Sequence, residues 1–286
     1  MSALEFIIAL ALAKGLVVLG LLLLMRTGLV SFGQGLYYGL GAYAAAMLAY
    51  RGGLADAALM LLAGPACAAA VAAILGLLLA RYRGIFFGML SLAFSMILYG
   101  LLVKSAALGS TDGFQVQVRQ IVGIALAPGV ERRVFFAVSV LIALSVGYLL
   151  HRYLASHWGR LSAAIRDNEL RVEYLGASVY RVVYVNYVIA AALAGLGGAF
   201  AALAVGHVDP ETTYWTTSGE FVFIAILGGT GNVLAPFLSA AIFEALRTVA
   251  NQYAPNVWQM ALGAAMLAII MFLPGGLWTL VRRKAA

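Results

Sequence analysis

The sequence predicts an all-α, polytopic transmembrane helical protein with about 9–10 spans, some broken by Gly-rich segments. Three observations predict it. Of 286 residues, 64% are hydrophobic and 10% charged, an apolar excess that would aggregate in water. Uncharged runs of about 20 residues recur, the length at which a helix rising 1.5 Å per residue crosses about 30 Å of hydrocarbon. The basic residues gather at the ends of those runs, where membrane topology places them.

In chain order the candidate spans are 4–25, 36–50, 57–80, 85–103, 134–154, 182–205, 221–229, 233–250 and 257–281. The first carries Glu5 and no preceding basic residue, so it reads as a retained span rather than a cleaved signal peptide. The second and seventh are too short to cross alone. They are expected to belong to broken helices continued by the Gly-rich stretches 30–35 and 225–231. The stretch 105–133 reads as a loop, with Gly109, Asp112, Gly113, Pro128 and Gly129 supplying turns.

Between His151 and Arg181 lie five arginines and three acids. A polar, helix-forming segment between two spans belongs on the cytoplasmic side, and alternation from it puts eleven Lys and Arg inside against five outside. The amino terminus is then outside and the carboxyl terminus inside. Leu161, Ile165, Val172 and Leu175 are spaced 4, 7 and 3 apart, which predicts an apolar stripe offered to a partner, rimmed by Arg160, Arg166, Asp167, Arg171 and Glu173.

The net charge of +7 follows from topology, and no aromatic-interleaved basic stripe points to nucleic acid. The single cysteine, Cys67, excludes an intrachain disulfide framework. His151 and His157 are six apart, and His207, Asp209 and Glu211 alternate in a short loop, so no metal site is expected. No lysine follows a glycine in a phosphate-loop pattern, so any ATP would be bound by another chain. No catalytic constellation is present, and the protein is not expected to be an enzyme.

Two glycine clusters carry the functional expectations. In SFGQGLYYGLGAY, over 31–43, Gly33, Gly35, Gly39 and Gly41 either let helices pack closely or break a helix whose freed backbone lines a solute path with Ser31, Gln34 and Tyr38. Gln34 suits passage of a neutral or zwitterionic solute, or else caps a helix end. In SGEFVFIAILGGTGN, over 218–232, Glu220 stands beside a second break at Gly228, Gly229 and Gly231. It lines the path or sits as an interfacial carboxylate in water. Lys14, mid-span, must face protein, and Glu244 and Arg247 are spaced to pair along one helix.

The ordered set of SFGQGLYYGLGAY, RGIFFGMLSLAFSMILY at 83–99, GSTDGF at 109–114, the run 159–200, the run 218–241 and FLPGGL at 272–277 resembles the inner-membrane permease family of branched-chain amino-acid ABC importers, in its LivM-type form. The resemblance covers nearly the whole chain and implies a single permease domain over 1–286. It implies a cytoplasmic coupling segment at about 156–178, onto which Gly159, Arg160, Leu161, Ala164, Ile165, Arg166, Asp167, Asn168, Glu169, Leu175 and Gly176 fall. The implied partners are a second homologous permease, two ATPase subunits that bind ATP and Mg, an extracytoplasmic solute-binding protein and the bilayer of a bacterial inner membrane. Implied solutes are branched-chain amino acids, with urea, amides and aromatic acids as relatives' cargo. The rival class is an ATP-independent secondary transporter or channel, which fits broken helices but demands intramembrane acids beyond Glu220 and Glu244.

Overall fold

The computed structural model describes residues 3–52, 56–116, 120, 130–253, 258–272 and 276–278. The described chain is helical nearly throughout: α1 (Ala3–Arg26), α2 (Gln34–Gly52), α3 (Ala57–Leu79), α4 (Gly84–Lys104), α5 (Val130–Ala155), α6 (His157–Asp167), α7 (Glu169–Tyr174), α8 (Val179–Val205), α9 (Trp215–Gly228), α10 (Ala235–Tyr253) and α11 (Trp258–Phe272). The strands β1 (Phe114–Gln115) and β2 (His207–Val208) form one antiparallel pair, Phe114 opposite Val208. Five helices, α1, α3, α4, α5 and α8, are long and apolar enough to cross a bilayer. The protein is an all-α, multi-pass membrane protein.

Helix ends follow local chemistry. Asp56 caps α3 by accepting from the Ala58 amide at 2.9 Å, and Asn168 caps α7 by accepting from the Arg171 amide at 3.0 Å. Such caps satisfy donors that the first turn leaves without partners. Gly206, at φ +76°, ends α8 in the left-handed conformation that glycine adopts without strain.

The core is built on α1 and α8, with α2, α3 and α10 packed around them. Leu16 to Leu24 of α1 are almost wholly buried. The second half of α8, VIAAALAGLGGAF at 188–200, is dominated by alanine and glycine, which lets backbones approach. A Cβ on Gly195 would stand 2.7 Å from the Gly64 carbonyl of α3, and one on Gly64 would stand 2.9 Å from the Gly195 carbonyl. A Cβ on Gly41 of α2 would overlap the Gly195 carbonyl, and one on Gly198 the Tyr38 carbonyl. In a bilayer, where burying apolar surface between helices gains little over lipid, this close contact carries association. The outer faces of α3, α4 and α5 present Leu62, Ile74, Ile85, Phe86, Leu141 and Leu144, as lipid contact requires.

One end of the bundle collects the basic residues. There the Arg83 Nε donates to both carboxylate oxygens of Glu169, at 2.8 and 3.0 Å, and Arg26 donates to the Thr230 carbonyl at 3.1 Å. The opposite end holds the β1–β2 pair and the Val116 amide bond to the Gly206 carbonyl, at 2.9 Å.

The helix breaks differ from the sequence expectation. α2 is continuous from Gln34 to Gly52 and contains Gly35, Gly39 and Gly41 without interruption; the irregular stretch precedes it, at 27–33. Gly35 and Gly39 instead make room. A Cβ on Gly35 would lie 2.7 Å from the Ser218 hydroxyl, and one on Gly39 would overlap the Thr213 methyl. α9 is indeed short, but it is extended at its start by the re-entrant stretch 206–214, not by 225–231. This stretch dips inward until Ser95 of α4 donates to the Thr213 carbonyl at 2.7 Å. Ser95 lies eleven residues into α4, roughly 16 Å along its axis, so irregular backbone reaches membrane depth wrapped in protein, as it must. Gly229, at φ +78°, ends α9. The helix α5 also starts earlier than the expected span, at Val130. Pro128, Gly129, residues 273–275 of FLPGGL and the basic residues 282–284 lie outside the described residues.

Candidate functional site

Two places gather chemistry. The first is the α6–α7 hairpin at the basic end. Its expected outward stripe is corrected by the structure: Ile165 and Val172 are buried in the chain's own core, with Leu161 packed partly against it. The apolar side carrying Leu161, Ile165 and Val172 turns toward the chain's own core, and the extended backbone of Asn168 (φ −163°, ψ 104°), which separates α6 from α7, ends the stripe before Leu175. The large apolar groups left outward are Trp158, Leu170, Tyr174 (89% exposed) and Leu175 (81% exposed). Arg160, Ala164, Arg166, Asp167, Asn168 and Gly176 are also exposed, and Gly159 packs on the Leu154 backbone.

A buried polar chain fastens this hairpin to the core. The Tyr153 hydroxyl of α5 donates to the Asn186 carbonyl oxygen at 2.7 Å, and the Asn186 amide donates to the Ser162 hydroxyl of α6 at 2.8 Å. Ser162 in turn donates to the Trp158 carbonyl at 2.9 Å. Asn186 lies on α8, the central helix, so α6 is tied to α8 by direct hydrogen bonds and packing as well as by the intervening chain. Sequence reading passed over Asn186. Its signal was a single amide inside the otherwise apolar stretch VVYVNYV.

These contacts give a measurable consequence. Ile165→Asp places a carboxylate in the core and should lower stability by about 3 kcal/mol or more, seen as a fall in thermal midpoint in detergent. Leu175→Asp, fully outside, should leave that midpoint within the effect of an ordinary surface change, roughly 0.5 kcal/mol.

The second place is a cavity of about 570 Å³ among α1, α2, α8, α9 and α10, near the end opposite the basic one. At its base four charges meet. Lys14 of α1 contacts both Glu220 of α9 and Glu244 of α10, and Arg247 stands 3.5 Å from Glu220 and 3.8 Å from Glu244. Lys14 also lies 5.3 Å from the Phe243 ring centre, a favourable cation–aromatic placement. The expected Glu244–Arg247 pair is present, while Lys14 and Glu220 join it from two other helices. No spacing rule reaches across 206 residues, so the quartet was not legible as a unit. The clue was that Lys14 stood in an apolar span with no acid within helical reach.

Of the expected path residues, Tyr38 and Glu220 line this cavity. Ser31 and Gln34 are fully buried and do not. The Ser31 hydroxyl accepts from the Gly33 amide at 3.2 Å, and Ser218 accepts from the Gly35 amide at 2.9 Å. Gln34 has no hydrogen-bond partner for either amide atom among the described residues. It stands one turn from Tyr38, which stands one turn from Ala42, so the three share a face of α2. Gly228 lies against Ala235 and Ser239 of α10, and Gly231 against Trp278. Among the described residues no three His, Cys, Asp or Glu side chains are grouped to hold a metal.

The family model described as branched-chain amino acid transport system, permease component, matches residues 3–271. The chain belongs to that family. Relatives of this permease include the high-affinity branched-chain amino acid transport system permease protein LivM of Salmonella typhimurium strain LT2 and its namesake from Escherichia coli strain K12. Each is 28% identical over 280 residues, covering 90% of this chain. The permease spans 65% of the length of each of these relatives. No solved structure matches it.

Proposed function

We propose that this permease is one membrane subunit of an ABC importer, pairing with a second homologous permease, two ATPase subunits and an extracytoplasmic solute-binding protein in a bacterial inner membrane. It carries a small polar solute, a branched-chain amino acid first among them, and takes no part in ATP chemistry. ATP and Mg are bound by the ATPases. The family match along residues 3–271 carries this reading. The basic end is then cytoplasmic, as the basic-residue bias favours, and the cavity opens outward.

Within this reading the coupling segment is α6–α7. Its exposed groups Leu170, Tyr174 and Leu175, rimmed by Arg160, Arg166 and Arg171, form the surface that enters an ATPase groove. An apolar anchor inside a charged rim is the usual anatomy of such a contact. Nucleotide-driven motion of α6 then reaches α8 through Ser162 and Asn186, and α8 packs on α1 and α2 beside the cavity. The path runs from the cavity past Tyr38 and Glu220 to Gln34 and Ser31.

The test is reconstitution of the chain in liposomes with its ATPase subunits, second permease and binding protein. Leucine uptake should require ATP and the binding protein. Leu175→Asp combined with Tyr174→Asp should cut uptake by about tenfold or more, as loss of a contact anchor worth at least 1.4 kcal/mol would, with thermal midpoint unchanged. Uptake driven by an ion gradient in the absence of nucleotide would assign the protein to the secondary transporters instead.

A further inference from the structure

We propose that the groove between α1, α5 and α10 at the basic end holds one phospholipid of the surrounding leaflet, its acyl chain in the groove and its anionic headgroup on Tyr148, His151 and Arg152. The inference needs only that the chain spans a membrane, and it stands apart from what the permease carries.

The groove encloses about 300 Å³. Apolar side chains of α1 (Leu12), α5 (Val140, Ala143, Leu144) and α10 (Val233, Phe237) bound it, and among the described lining residues only Tyr148 and His151 carry a polar side-chain atom. It opens toward lipid, since Leu144, Tyr148 and Leu234 at its rim are each more than half exposed. Val140 and His151 are eleven residues apart on α5, roughly 16 Å along the helix. That is about half of a hydrocarbon core of about 30 Å. Because His151 stands one turn before the end of α5, the groove runs from headgroup level to mid-membrane, the depth of one leaflet.

Size decides what fills it. A methylene group takes about as much room as a water, roughly 30 Å³, so the groove accepts about ten of them. A helix about 10 Å across would need roughly 1,200 Å³ over the same length, so a span of another subunit does not enter. Gly147 makes part of this room. A Cβ there would stand 3.6 Å from Phe237 and 3.8 Å from Val233, ordinary contact distances, so the packing of α5 on α10 does not itself require glycine.

An acyl chain entering the groove leaves one hydrocarbon medium for another, so its burial selects little. Selection falls to the mouth. Tyr148, His151 and Arg152 are exposed and stand three and four apart, on one side of α5. A tyrosine hydroxyl and an imidazole N–H donate to a phosphate, and a guanidinium adds paired, charged donors. The flanking stretches 12–26, 140–155 and 233–240 contain no acid, and Arg26 closes α1. The acids of this end, Asp167, Glu169 and Glu173, lie on α6 and α7 and do not line the groove, and Glu169 is engaged by Arg83. The charge around the mouth therefore favours an anionic headgroup over a neutral one, as basic pockets between spans do.

The test uses the full chain, alone and co-purified with its membrane partner, and titrates it with phosphatidylglycerol and with phosphatidylcholine of the same acyl chains. Native mass spectrometry should show one phosphatidylglycerol held about fivefold tighter or more, the increment expected of one cation beside an anionic headgroup. His151→Gln with Arg152→Gln alters two exposed side chains and should bring the two lipids within about twofold of each other. Position is read separately, in phosphatidylcholine nanodiscs containing a small fraction of phosphatidylglycerol with a mid-chain nitroxide. A bimane on Leu144→Cys, in a Cys67→Ala background, should be quenched about twofold more than one on Leu62→Cys, which faces lipid on α3. Gly147→Val, which fills the groove, should remove that difference, and the other readouts do not depend on this variant folding. Equal affinity for the two lipids overturns the site. So does a preference that survives His151→Gln with Arg152→Gln, which would put the anion on other arginines, or equal quenching at Leu144 and Leu62. Loss of the bound lipid in the co-purified complex would give this face to the partner, and displacement by glycerol 1-phosphate at equal concentration would make the mouth a phosphate site without a lipid; either result ends the proposal.

Discussion

Lys14→Met is expected to lower the stability of the purified chain by about 3–5 kcal/mol, the cost of breaking a buried ion pair and leaving its acids behind. Lys14 touches both Glu220 and Glu244, and its side chain and that of Glu244 are nearly sealed from solvent. Without it, two carboxylates share Arg247, which approaches neither closer than 3.5 Å. The loss should be largely recovered by adding Glu244→Gln, because the remaining Glu220 and Arg247 then balance. Replacing a whole buried pair is often neutral where removing half is not. Thermal unfolding in one detergent, run on wild type, both single variants and the double, reads the cycle directly. Additive losses in the double variant would show that Lys14 acts by packing on Phe243 and not by charge.

The same quartet shows where sequence reading stops. Span positions were legible because a 20-residue apolar run has few other fates, and the nine expected spans correspond to α1–α5 and α8–α11 in order. Pairing at Glu244 and Arg247 was legible too, since helical spacing alone brings residues three apart together. Lys14 and Glu220 belong to helices whose adjacency is a tertiary fact. The hairpin misled for a related reason: the periodicity of Leu161, Ile165 and Val172 found the apolar side correctly, but periodicity cannot say whether that side faces a partner or the chain's own core. Asn168, a residue that favours caps over helix interiors, was the available sign that the stripe would not continue to Leu175.

Glycine raised the same ambiguity, and it yields the other large effect. Gly35, Gly39 and Gly41 were open to two readings, breaks or close contacts, because glycine serves both. In the structure they sit inside an unbroken α2, and the tightest approaches fall on α8. A methyl group on Gly198 would occupy the position of the Tyr38 carbonyl oxygen. Backbone cannot move aside as a flexible side chain can, so α2 and α8 must separate, and Tyr38 must shift with them at the cavity wall. Gly198→Ala should therefore cost about 1–3 kcal/mol, as overpacking does. Gly100 provides the control within the same protein: it is also helical, on α4, and an added Cβ there meets nothing within 4 Å. Gly100→Ala should raise stability by up to about 1 kcal/mol, since the helix gains propensity and no neighbour is disturbed. One chemical change thus carries opposite signs at two sites, and thermal midpoints measured side by side decide the matter. Shifts of the same sign and size would mean that α2 and α8 are not held together by backbone contact at Gly198.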